Sequence, residues 1–134
     1  TPDGRKGGEI LADASLSPDH GMDKNGPLAV FKSAMKIDMD SYQGALHNMK
    51  FHPSALKSDE DLLKLSAVIK TYLTNGGKHI QFNVVNKEDM VDAKVNPDAH
   101  SDLVVRVAGY SAYFTRLTPQ IQDEVINRTL YQDM

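Results

Sequence analysis

Cysteine and tryptophan are both missing from this 134-residue sequence, and aromatic residues make up only 7% of it. Without cysteine the chain can build no disulfide framework, zinc knuckle or CxxC redox motif, and it supplies no thiol nucleophile. It has no excess of positive charge: 15 Lys and Arg stand against 18 Asp and Glu, for a net charge of −3 and an isoelectric point near 5.9. No electropositive face is therefore expected to attract nucleic acid or an anionic membrane. No apolar run approaches the roughly 18 residues that a membrane span requires. The first residue is Thr1, with no initiator Met and no secretory pattern, so a processed chain or a piece of something longer is expected, and its location is expected to be cytoplasmic. What remains is 40% hydrophobic and 25% charged, enough for one domain with a buried core.

Residues 1–26 read as an irregular connection. The clusters Thr1-Pro2-Asp3-Gly4, Gly7-Gly8 and Asn25-Gly26-Pro27 are turn punctuation, and so long a stretch suits a segment laid over a larger body. An α/β part over 27–134 follows. Pro27 opens a helix with Leu28, Phe31 and Met35 at helical spacing, and residues 45–51 alternate imperfectly as a strand. Ser58 and Asp61 resemble a capping box. Leu62, Leu65, Ile69 and Tyr72 form the stripe of the helix they start, and Gly76-Gly77 ends it. In residues 79–85, Ile80, Phe82 and Val84 oppose His79, Gln81 and Asn83, as on a strand. A short helix is expected between Asn86 and Asn96-Pro97. Leu103 to Val107 reads as a strand buried on both faces, and Thr118-Pro119 opens a last helix with Ile121, Val125 and Ile126 inward.

Chemistry-bearing patterns are sparse. His20, His47, His52, His79 and His100 make no H-E-x-x-H and no i, i+4 pair with carboxylates alongside, so no metal site is expected. The glycine-rich start with Arg5 and Lys6 matches no phosphate-binding loop, and no G-x-S-x-G occurs. His79, Gln81 and Asn83 share one strand face, which suits either a polar barrel lumen or exposure to water. In Leu103 to Phe114, periodicity alone gives a buried strand, a glycine that permits close backbone approach, and an aromatic pair.

That last segment carries a resemblance. Arg106-Val107-Ala108-Gly109-Tyr110 looks like the glycyl radical signature of the pyruvate formate-lyase superfamily. T-P-D-G-R-K at 1–6, K-F-H-P-S-A-L at 50–56, H-I-Q-F-N-V-V at 79–85 and Q-D-E-V-I-N-R-T at 122–129 are similar to the same family's C-terminal region, in the same order. The wording is most similar to the glycerol (diol) dehydratase and lyase branch, whose relatives include proteins of the formate acetyltransferase type. The resemblance implies the C-terminal part of a ten-stranded α/β barrel, with a radical loop around 106–112 inserted into it.

Its further implications concern chemistry. A separate radical-SAM activating enzyme, which uses S-adenosylmethionine and an iron–sulfur cluster, would take one Cα hydrogen from Gly109. The radical would pass to a catalytic cysteine and from there to a small organic substrate. Arg106, Val107, Ala108 and Tyr110 would shape the loop and its recognition by the activator, although packing alone also accounts for Val107 and Tyr110, and an ion pair or solvation for Arg106. His79, Gln81 and Asn83 would line the barrel. No cofactor would be bound by this chain. Because it contains no cysteine, it is expected to be inactive alone and to need the remainder of the barrel; the resemblance is compatible with a homodimer of the full enzyme. The alternative is an autonomous spare-part protein that docks to and rescues an oxygen-damaged partner.

Overall fold

Helix α1, Pro27–Ala34, begins where proline's fixed φ favours a first helical residue. Its buried side is Pro27, Val30, Phe31 and Ala34, with Met35 packed against the same core. Phe31 and Met35 therefore face inward as expected, whereas Leu28 is 47% exposed. The structure, a computed structural model, describes residues 2, 4–128 and 130–132. Thr1 and Asp3 of the opening motif and Thr129 of the closing one lie outside the described residues.

Strand β1, Asn48–Phe51, pairs in parallel with β2, Gln81–Val84, in the register Asn48↔Gln81 to Phe51↔Val84. Helix α2, Asp59–Thr74, makes the crossover that a parallel pair requires. It starts in the expected capping box: Asp61 N–H donates to Ser58 Oγ at 3.1 Å and Ser58 N–H to Asp61 Oδ2 at 3.2 Å. It ends at Gly76, whose φ is +92°. Tyr131 bridges the other edge of β1, exchanging backbone bonds of 2.8 and 3.0 Å with His52 and Lys50. With both edges of β1 occupied, Met49, Lys50 and Phe51 are all buried, and the expected alternation breaks down at the lysine. Met49 and Phe51 join Phe31, Tyr72 and Tyr131 in one core. Phe82 and Ile80 pack against that core from β2, but Val84 is 46% exposed.

Asn86 caps helix α3, Lys87–Val95, by accepting from the Glu88 N–H at 3.1 Å. Strands β3, Val104–Arg106, and β4, Ser111–Tyr113, then form an antiparallel hairpin. The expectation of a strand buried on both faces is corrected here. Val105 and Val107 are buried, whereas Val104 is 48% exposed, because among the described residues β3 has β4 as its strand partner and one face turned inward. The apolar run hid a hairpin strand, and β4 itself was read only as an aromatic pair. Helix α4, Pro119–Asn127, buries Val125 and Ile126 as expected, together with Gln122, whose Nε2 donates to the Phe114 carbonyl at 2.9 Å. Met90, Val105, Phe114 and Val125 lie in this second core.

The chain is thus mixed α and β with two two-stranded sheets, one parallel and one antiparallel, among the described residues. No closed barrel is formed among the described residues. The irregular lead-in is ordered against this body: Ser17 Oγ accepts from Asn48 N–H at 3.0 Å and donates to Asn48 O at 3.1 Å. No described helix is long and apolar enough to cross a membrane.

Candidate functional site: the turn at Gly109

The hairpin register puts Arg106 opposite Ser111, and Val107 N–H donates to Tyr110 O at 3.0 Å. Ala108 and Gly109 therefore stand alone at the tip. Gly109 has φ +71°, and among the described residues no non-glycine has a positive φ. A single positive φ at the third residue of four is the demand of a type II turn, which selects glycine there. A Cβ added at Gly109 would meet no heavy atom within 4 Å outside its neighbours in the chain. The close backbone approach expected from sequence is therefore not why glycine is needed within these residues; the backbone conformation is. Ala108, Gly109 and Tyr110 are all exposed, while Val107 anchors the turn in the second core.

The stem of the turn is held from below. Arg128, just beyond α4, donates through Nη1 to the carbonyls of Arg106 at 3.2 Å and Val107 at 2.5 Å. Its guanidinium is fixed by Asp13 Oδ2 at 3.3 Å and Glu124 Oε1 at 3.0 Å, and its side chain is only 9% exposed. Asn83 Nδ2 reaches the same Arg106 carbonyl at 3.5 Å. A second cation lies nearby: Lys50 is 4% exposed and donates through Nζ to Val125 O at 2.9 Å, in the last turn of α4, where a helix end favours positive charge. Burial, and then the charge of Arg128, lower its amine to about 8.

The predicted residues are thus brought together only in part. Arg106 and Val107 form the stem, Arg106 Nη1 also donating to Ser111 Oγ at 3.4 Å, and Ala108 and Tyr110 flank Gly109. Of the three polar residues around β2, Asn83 alone bonds to the hairpin. His79 accepts through Nδ1 from the His47 N–H at 3.3 Å, and Gln81 donates to Phe82 O at 3.0 Å. Sequence reasoning missed Asp13, and it noted Glu124 and Arg128 only within the resembling run 122–129, without a role. Their i, i+4 spacing was a further signal; nothing along the chain connects either of them to Asp13.

Chemically, the tip offers a backbone carbon rather than a side chain. A Cα between two amides, freed of one hydrogen atom, shares its unpaired electron with an amide nitrogen and a carbonyl when the three lie in one plane, and glycine has no side chain to oppose this. Among the described residues no group of three His, Cys, Asp or Glu could hold a metal ion.

Comparisons with known proteins agree on one class. The family model described as glycine radical matches residues 12–115, which include the turn. Indoleacetate decarboxylase of Tractidigestivibacter scatoligenes is 46% identical over 131 residues, spanning 98% of this chain and 15% of that protein. The 4-hydroxyphenylacetate decarboxylase glycyl radical subunit of Clostridioides difficile (strain CD196) is likewise 46% identical over 132 residues, with the same shares. The B12-independent glycerol dehydratase from Clostridium butyricum, solved with glycerol bound, superposes with a TM-score of 0.90 at 48% identity, over 100% of this chain and 17% of that one. The chain therefore spans less than a fifth of each of these proteins.

Proposed function

The chain belongs to the glycine radical family, and on that premise we propose that it is the radical-storing end of a larger glycyl radical enzyme, with Gly109 as the residue that carries the radical. The supporting observation is the placement of Gly109 at an open hairpin tip, inside the matched region, where only glycine takes the backbone conformation. One Cα hydrogen atom leaves to an activating enzyme of the radical-SAM type. The carbon radical then recovers a hydrogen atom from a cysteine thiol on the remainder of the barrel, and the resulting thiyl radical attacks the substrate. The chain itself supplies the stored radical and the scaffold that positions it, and the exposed tip leaves exclusion of water and oxygen to the remainder of the barrel.

The substrate is a small organic molecule, and the reaction a dehydration, decarboxylation or related lyase step. Decarboxylases and a dehydratase stand at nearly equal identity, 46% and 48%, which supports the class more than any one member. Such oxygen-sensitive chemistry belongs in the cytoplasm of an anaerobic cell. Arg106, Val107, Ala108 and Tyr110 form the segment shown to the activator.

Anaerobic incubation of the enzyme carrying this chain with an activating enzyme, S-adenosylmethionine and a reductant is expected to give a carbon-centred doublet in electron paramagnetic resonance. Gly109→Ala removes it. A doublet that persists in that variant would place the radical elsewhere. Oxygen admitted afterwards is expected to cut the chain at Gly109 and release a fragment of residues 110–134; radical-bearing protein that stays intact would speak against the assignment.

A further inference from the structure

We propose that Arg128 is the positioning residue for the radical turn, joining the stem of the hairpin to the lead-in segment and to α4 through a single guanidinium. This rests on the assignment of the radical to Gly109. Four observations carry it. The guanidinium donates to two successive stem carbonyls, those of Arg106 and Val107, one and two residues before the tip pair Ala108-Gly109. It is held in turn by Asp13, from the irregular lead-in, and by Glu124, one turn earlier on α4. It is almost wholly buried, so these bonds are shielded from competing water. The tip itself makes no comparable contact, because nothing approaches the place of a Cβ at Gly109.

The consequence is directional. Within the described residues the place of Gly109 is set from its stem, by the Val107 side chain in the second core, the Asn83 amide and the Arg128 fork. Of these only the fork reaches both stem carbonyls. Nη1 serves both carbonyls and Asp13 while Nη2 holds Glu124. An ammonium has one nitrogen with three N–H donors for these four partners, and no second nitrogen to hold Glu124 while the first serves the stem. Arg128 touches no reacting atom. It acts through the backbone of the turn, by fixing where the Gly109 carbon stands relative to the group that exchanges a hydrogen atom with it.

The test uses the full-length enzyme carrying this chain, activated anaerobically, with spins counted by electron paramagnetic resonance. In Arg128→Ala the doublet is expected to form, because Gly109 is intact, while turnover per spin falls about a hundredfold, the scale of a misplacement of roughly 1 Å. The KM for substrate is expected to stay within twofold, and amide exchange at residues 107–110 to rise at least about tenfold while α2 keeps its protection. Added guanidinium is expected to restore part of the turnover per spin in Arg128→Ala. Turnover per spin within twofold of the parent enzyme overturns the proposal. If Arg128→Ala does not accumulate in folded form, Arg128→Lys decides: a loss of about tenfold or more per spin supports the fork, and full turnover per spin refutes it. An enzyme without any doublet would instead refute the radical assignment. The exchange rates at 107–110 would then still report whether Arg128 holds the stem, and unchanged rates would reject its role.

Discussion

Gly77 and Gly109 each end a segment of the chain, and each needs to be glycine for the opposite reason. At the corner between α2 and β2, a Cβ on Gly77 would stand 2.5 Å from the ring of Tyr72, a side chain with no exposed surface. That ring packs edge-on against Phe31 and His47, at centroid distances of 5.5 and 5.6 Å. Gly77 is thus a space requirement, imposed by a filled aromatic nest. At the hairpin tip there is room for a side chain, and the constraint is the backbone angle of +71°. One region is fixed by what touches it, and the other is open at its tip while its stem is held. A filled core resists an added atom. An open tip has room for the atom, so there the backbone angle and the proposed radical chemistry are what alanine would change.

Alanine at each glycine separates the two regions most sharply. Gly109→Ala is expected to abolish the radical and all turnover while costing only about 1–2 kcal/mol of stability for the left-handed conformation, read by paramagnetic resonance beside urea unfolding. Loss of fold in step with loss of radical would break the contrast. Acid probes the nest next. His47 has no exposed surface and no partner for either ring nitrogen, and burial pushes its imidazole down to about 4. The unfolded chain therefore takes up this proton first. Stability from this group is intact above about pH 6.5 and is lost as pH falls towards 4, by about 3 kcal/mol in all. Urea midpoints at pH 7, 5.5 and 4 measure that slope, and in His47→Leu the part due to this group disappears whatever the variant's stability at pH 7.

Gly77→Ala should cost about 1–3 kcal/mol by overpacking against Tyr72 and leave the spin yield of the folded fraction unchanged. A neutral effect on the urea midpoint would show that the ring yields. The smallest effect belongs to the far end of α2. Ser58→Ala removes the hydroxyl that accepts from the Asp61 N–H and donates to Asp61 Oδ2, and it is expected to lower stability by about 1 kcal/mol with turnover per spin unaffected.

Local patterns along the chain were legible where a side chain answers to its neighbours in sequence. Ser58 with Asp61, Asn86 before α3 and Pro119 opening α4 all act within a few residues, and each element starts where its cap predicts. The resemblance of Arg106 to Tyr110 located the turn. Legibility failed where burial depends on what lies across the fold. Lys50 looked like the outward member of an alternating strand but is covered at the end of α4. The run Leu103 to Val107 looked doubly buried and proved to be one arm of a hairpin with Val104 facing out. His47, one of five histidines whose spacing suggested no metal site, is packed against the rings of Phe31 and Tyr72, which no local pattern showed.

By itself the sequence determined the family and, through the resemblance it carries, the residue proposed to bear the radical. The absence of cysteine and the wording around Gly109 are properties of composition and order, which folding does not alter. Tertiary structure alone decided how that glycine is held. Asp13, Asn83 and the i, i+4 pair Glu124 and Arg128 come from three distant parts of the chain, and their meeting beneath the hairpin depends on strand pairing and helix packing. The physical reason is range: caps and turns are set by bonds spanning a few residues, whereas a buried ion pair exists only once the fold has excluded water around it.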